Sequence, residues 1–363
     1  MTIVFEKRLT RSRWASIVVP IVSIILALVF GGLVLTAFGI NPLQAYQVML
    51  KGSLGDGYAI SETLVKAIPL MLTGLGVSIA FRMLFWNIGA EGQLAMGGIA
   101  AAYVALFLSD RLPDPLVIPL MVVLAVLAGA LWGGIPALLK AAIGVNEILT
   151  TLMMNYIAIL LVEYLYLGPW RDPEGYGFPG SAPFPESAWL PRLTGRVHAG
   201  LIFALLAAAL LWFILSRTRW GYEIRVTGEN PRAARYTGIS ITRNILLVML
   251  VSGGLAGLAG MAEVAGLTRR LYGLTVGYGY TAIIVAWLAS LNPWGVILVA
   301  FMMAALLVGG DQIQIALQTP AAVALVLQGA ILFFVLGGSI FANYRIRIHR
   351  EERLGEERGE RDE

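Results

Sequence analysis

The chain offers few residues for chemistry. It has no cysteine and two histidines, His198 and His349, far apart in sequence. Disulfides and thiolate metal sites are excluded, and a His-based metal site or a Ser-His-Asp triad lacks its parts. Only four lysines occur, and none precedes Ser or Thr. The phosphate loop G-x-x-x-x-G-K-[ST] is therefore missing. No catalytic residue and no metal ligand is expected.

What remains is a small set of acids and amides set in apolar sequence. Asn87, Glu91 and Gln93 fall in NIGAEGQL, Asn146 and Glu147 in GVNE, and Asn155 further along the same segment. Such groups are expensive near a bilayer and face a cavity or a partner. Gly89, Ala90 and Gly92 allow close backbone approach or break a helix. A broken helix aims bare amide and carbonyl groups at a polar solute. A plainer reading stands beside each. Glu91 caps or ion-pairs a tight interfacial turn. Asn146 is a helix N-cap with Glu147 in the first turn. Asn155 lies about two turns into its helix, where an unpaired amide is costly, so it bonds a neighbouring helix or lines a path.

The elements that must position these residues are membrane helices. Of 363 residues 58% are hydrophobic and 13% charged, against roughly 25% charged in soluble domains; the mean hydropathy is +0.79. This is the composition of an all-α polytopic membrane protein. Apolar runs at 16–38, 63–85, 94–108, 115–139, 148–167, 199–215, 245–265, 280–291, 296–308 and 321–336 give about ten spans. The eighth and ninth are short, and the Asn292-Pro293-Trp294-Gly295 segment between them is a turn or the tip of a re-entrant loop. Eight spans plus re-entrant segments is the competing count. The first run is longer than a signal peptide's core, so a retained helix is expected.

With both termini inside, 18 of the 26 basic residues fall on the inner side, which selects N-in and C-in. Arg269 and Arg270 are the clear misfits. The expected organisation is one transmembrane domain over 1–343, with an external loop at 168–198 and a basic inner loop at 216–243. The tail at 344–363 alternates arginine and glutamate and reads as a solvated helix or a disordered end.

Within the inner loop stands GENPRAARYTGI. Asn230-Pro231 opens a turn, and Pro231 suits the first helical position. Arg232, Ala233, Ala234, Arg235 and Tyr236 make about one and a half turns, and Gly238 is a plausible stop. The result is a short basic helix that either lies on anionic lipid or docks a soluble partner. Farther on, GYGYTAIIVAWLASLNPWG places Tyr278, Tyr280 and Trp287 near a helix break. Together with Trp86 and Tyr156 these could stack on a flat solute, although interfacial belts and packing explain them first.

These four segments, in this order, resemble the permease subunits of bacterial ABC importers for simple sugars and nucleosides, within the branched-chain amino acid/ribose-type permease group. The resemblance covers most of the chain and is closer to the nucleoside-type branch. It implies a protein of the bacterial cytoplasmic membrane that is not itself an enzyme. Two permeases, identical or related, would form the path. P-loop ATPase subunits would bind below, and an extracytoplasmic solute-binding protein would deliver the solute. ATP and magnesium would sit on the ATPase, leaving no cofactor in this chain.

The same resemblance makes Gly228, Asn230, Pro231, Arg232, Ala233, Ala234, Arg235, Tyr236 and Gly238 the ATPase-coupling helix. It makes Asn87, Glu91, Gln93, Asn146, Glu147 and Asn155 the residues of the translocation path or of nearby helix breaks. The alternative is an ion-coupled carrier of a small polar solute, with Glu91 or Glu263 as the titrating acid.

Overall fold

The structure is a computed structural model. It describes residues 2–7 and 13–320, and beyond them 325–327, 329–330, 333–334, 337–338 and 344–349. The expected span at 321–336 lies mostly outside the described residues. The chain divides into two compact units, residues 1–47 with 313–363, and residues 48–312.

In the first unit, β1 (Thr2–Lys7) pairs antiparallel with β4 (Tyr344–His349). The start of the tail is thus a strand, where the charge pattern suggested a helix or a disordered end. Helix α1 (Arg13–Ala37) stops at Gly39, which holds the left-handed φ of +75°. Asn41 then caps α2 (Pro42–Leu54) by accepting from the Leu43 N–H at 3.0 Å. The axis bends by 116° across this break. The first expected run ends at Phe38, beside this break; α2, which carries Gln44, Gln47 and Lys51, was not expected as a helix.

The second unit is a helical bundle. Its long helices are α3 (Gly57–Arg82), α4 (Ala90–Tyr103), α5 (Asp114–Ile143), α6 (Glu147–Leu167), α7 (Gly200–Arg217), α10 (Ile241–Glu263) and α12 (Pro293–Leu317). Helix α4 runs on through a π-turn and a 3₁₀ turn to Arg111, and α10 through a π-turn to Thr268. Among the described residues seven helices are long and apolar enough to cross a membrane, or eight if the bent α1–α2 pair counts as one span. The span expected at 296–308 is the much longer α12. The one expected at 280–291 is α11 (Tyr278–Leu288), only 11 residues long and about 16 Å in length, which makes it a half-span. The Asn292 side chain caps α12 through the Trp294 and Gly295 N–H groups at 3.0 and 3.3 Å. Ser290 and Leu291 carry the reversal with φ of 51° and 58°.

Helix α3 is the axis of the bundle, with every residue from Ala67 to Phe81 buried. Helix α10 packs against it and in turn receives α4 and α5 on small residues. A Cβ on Gly97 would fall 2.1 Å from the Gly257 carbonyl oxygen, and one on Gly129 would fall 2.2 Å from that of Gly253. Glycine is therefore required for the backbones to meet, as in membrane helix pairs generally. Helices α5, α6 and α7 bury only 28% of their apolar windows, so their outer faces are left for lipid or a partner.

The segment 168–198 caps the end of α10. Leu190 N–H donates to the Ala265 carbonyl at 3.1 Å, Phe184 N–H to Arg269 at 2.8 Å, and Ser181 N–H to Leu271 at 3.2 Å. Arg269, a charge misfit in sequence, stacks over Trp189 at 3.8 Å. The segment ends in a small hairpin, β2 (Arg192–Thr194) with β3 (Val197–His198). His198 is buried there. Its Nδ1 accepts from the Gly200 N–H at 3.2 Å, while Nε2 has no partner. Burial pushes its pKa down to about 4.

This gives a pH prediction. The folded His198 pKa lies below the unfolded value of about 6.5. Stability is therefore full above pH 6.5 and is lost as pH falls towards 4, by up to about 3 kcal/mol. The melting temperature in detergent should drop across that window, and His198→Gln should flatten the drop. An equal drop in the variant would remove His198 as its cause.

Candidate functional site: a sewn helix break and an exposed basic helix

The chain between α3 and α4, residues 83–89, is irregular backbone in which Met83, Phe85, Asn87 and Gly89 are buried while Leu84 and Trp86 are exposed. Such backbone survives at membrane depth only if protein satisfies it. The predicted amides do this. Asn87 and Gln93 exchange two amide hydrogen bonds of 3.1 Å each, and both are essentially inaccessible. Asn87 Nδ2 also donates to Ser252 Oγ on α10 at 3.0 Å, and its Oδ1 accepts from the Gly89 N–H at 3.0 Å.

Asn155 reaches in from α6. Its Oδ1 accepts from the Gly92 N–H at 2.8 Å, and its Nδ2 donates to the Ile88 carbonyl at 2.8 Å and to the Tyr280 hydroxyl oxygen at 3.2 Å. One amide thus joins α4, the break and α11. The Ile88 N–H donates to Thr151 Oγ1 at 3.3 Å.

Glu91 fixes the second break. Its carboxylate oxygens accept from the Gly277 N–H at 2.8 Å and the Gly279 N–H at 2.5 Å, the bare donors at the start of α11. A carboxylate there is favoured by both hydrogen bonding and the helix dipole. A Cβ on Gly279 would sit 2.2 Å from the Glu91 nitrogen, so only glycine lets α11 begin against the first turn of α4. The far end of α11 is held by Arg82, whose guanidinium donates to the Leu291 carbonyl at 3.0 and 2.9 Å.

Asn146 and Glu147 are not part of this cluster. Asn146 is an exposed N-cap, accepting from the Ile148 and Leu149 N–H groups at 2.9 and 3.3 Å. Glu147 pairs with Lys140 across the α5–α6 turn at 2.7 Å. For Asn146 the plainer reading accounts for the geometry.

The end of the bundle that carries Arg82, Lys140, Arg217 and Arg243 also carries α8 (Arg219–Glu229) and α9 (Pro231–Tyr236). Helix α8 lies against the bundle through Gly221, Ile224 and Thr227, and Gly228 abuts the Arg82 carbonyl. Asn230 caps α9 through the Arg232 and Ala233 N–H groups at 3.0 and 3.1 Å.

At the other end of α9, Gly238 takes a φ of +77°. The Ile239 N–H reaches the Ala234 carbonyl at 2.9 Å and the Gly238 N–H reaches Arg235 at 3.1 Å. This double closure is the Schellman motif. Ala234 points inward; Arg232, Ala233 and Arg235 are exposed, and Tyr236 is 96% exposed. A helix capped at both ends with an open aromatic tip has the form of a docking element.

The family model described as branched-chain amino acid transport system / permease component matches residues 59–336. The chain belongs to this permease family. The permease is 37% identical to the glucose ABC transporter permease of Haloferax volcanii, over 96% of this chain and 94% of that protein. It is 36% identical to the guanosine ABC transporter permease of Bacillus subtilis, over 89% of this chain and 94% of the relative. It is 31% identical to a nucleoside ABC transporter permease of Lactococcus lactis, over 88% and 90%. It is a multi-pass plasma-membrane transport subunit.

Of the six expected membrane residues, Asn87, Gln93 and Asn155 meet at the permease's α3–α4 break and Glu91 closes the start of α11. Reasoning from sequence missed Thr151, Ser252 and the contact between Glu91 and the α11 N-terminus, and it held Tyr280 back. The apolar run at 280–291 signalled α11, and the glycines of GYGY signalled where it begins. Serine and threonine in helices carry no such signal, because they commonly bond their own backbone.

Proposed function

We propose that this permease forms the translocation path of an ATP-driven importer for a nucleoside or simple sugar. Two permeases, copies or relatives, rock between outward-open and inward-open states. P-loop ATPase subunits hold ATP and magnesium, and this chain holds no cofactor. An extracytoplasmic solute-binding protein supplies the affinity. About ten spans with both termini in the cytoplasm fit the basic residues gathered at the α8–α9 end. Helix α9 then lies in the cytoplasm as the coupling element.

The observation that carries this reading is likeness along nearly the whole chain to permeases for glucose and guanosine. The capped, exposed α9 supports it. In the ion-coupled alternative Glu91 would titrate, but its carboxylate already closes the α11 N-terminus. The helix breaks give the path its shape: Asn87, Gln93, Asn155 and Glu91 hold α4 and α11 in the geometry that lines it.

The test is uptake of labelled nucleosides and sugars by cells carrying the complete transporter. With ATP maintained and an ionophore added, uptake should persist. Uptake that collapses with the gradient would overturn the proposal.

A further inference from the structure

The bundle holds a second polar group that the helix break does not use. Lys66 of α3 pairs with Asp311 of α12. Lys66 lies about 14 Å along α3 from its first residue and about 24 Å from its last, so it sits well within the span. The two side chains are 29% and 52% exposed. An open ion pair at this depth cannot face hydrocarbon without a penalty of several kcal/mol. The face bearing it meets water or protein.

Glu263 ends α10 at the π-turn Val264–Thr268; single π-turns in helices often mark functional sites. It is 4% exposed, and its Oε2 has no hydrogen-bond partner. Lys66 acts on it electrostatically, and Tyr278 lies within electrostatic reach of both Glu263 and Asp311. An unsatisfied buried carboxylate oxygen is costly unless something in the working cycle satisfies it.

We infer that Lys66 and Asp311, with Glu263 behind them, line the water-filled path and bind hydroxyl groups of the passing solute. Two carboxyl groups and an ammonium offer acceptors and donors side by side, the pattern that suits a vicinal diol of a sugar or ribose. One cation among two carboxyl groups gives an anionic solute nothing to gain. The preference is for a neutral polyhydroxyl compound over its phosphate. The inference rests on the proposed importer reading for its solute, but not for its geometry.

The absence of native cysteine gives a clean test. Single cysteines replace Lys66, Asp311 and, for reference, Met302. Met302 is 55% exposed and lies about 180° round α12 from Asp311. The probe is a membrane-impermeant trimethylammonium methanethiosulfonate, applied to vesicles holding the complete transporter.

Lys66→Cys and Asp311→Cys should react at least tenfold faster than Met302→Cys, and glucose or guanosine should slow them. Reaction no faster than Met302→Cys would overturn the path. Fast reaction that neither solute slows would overturn the hydroxyl contact. Asp311→Asn keeps the size of the side chain and tests the same point without a reagent. Maximal uptake should fall about tenfold with KM and membrane abundance unchanged, and wild-type uptake would overturn the role. Loss of the importer reading would show separately, as reactive cysteines in a protein without ATP-driven uptake.

Discussion

Glu91→Ala should destabilise the permease by about 1–3 kcal/mol, because it leaves the buried Gly279 amide donor without a partner, and the half-buried Gly277 donor loses its partner as well. The donors are Gly277 and Gly279, held at 2.8 and 2.5 Å, and the half-span α11 hangs from them. Uptake should fall at least tenfold while the chain still inserts, since the long apolar helices do not depend on this contact. Glu91→Gln should recover about half the stability. Its carbonyl can serve one donor, but its NH₂ group then faces the other. Thermal unfolding in detergent, run beside uptake, checks both variants. A Glu91→Ala protein with wild-type melting and uptake would show that the α11 N-terminus finds its partners elsewhere.

The second large effect belongs at the opposite end. Tyr236→Ala should reduce uptake at least tenfold with the melting temperature unchanged. The ring is 96% exposed, so removing it costs the folded chain nothing, whereas a buried aromatic anchor in a partner's groove is typically worth 2 kcal/mol or more. The caps of α9, Asn230 and Gly238, remain in place. ATP hydrolysis by the complex should continue without transport. Normal transport by this variant would refute docking through α9.

The short helix α9 was legible almost in full, because everything that starts and stops it is local. An Asn-Pro start and a Gly stop within nine residues leave the chain few alternatives. Asn155 was legible in kind, since an amide two turns into an apolar helix must bond something. Its partners were not, because Ile88, Gly92 and Tyr280 come from distant parts of the chain. Helix α2 and the full length of α12 were not legible because polar residues, Gln44, Gln47 and Lys51 in the one and Asp311, Gln312 and Gln314 in the other, end or interrupt the apolar runs although the helices continue through them.

Asp311 and its partner Lys66 lie 245 positions apart, and nothing local signals that pair. Asn146 and Glu147 matched the motif and yet take the plainer role, a cap and an ion pair at a turn.

The most direct test of the central claim is isolation of the permease from its native membrane in mild detergent, with every retained protein identified. A subunit of a transporter powered by ATP should bring down a P-loop ATPase, alone or with a second permease, and Tyr236→Ala should reduce the amount recovered. A chain that comes down alone, or only with copies of itself, would contradict the account.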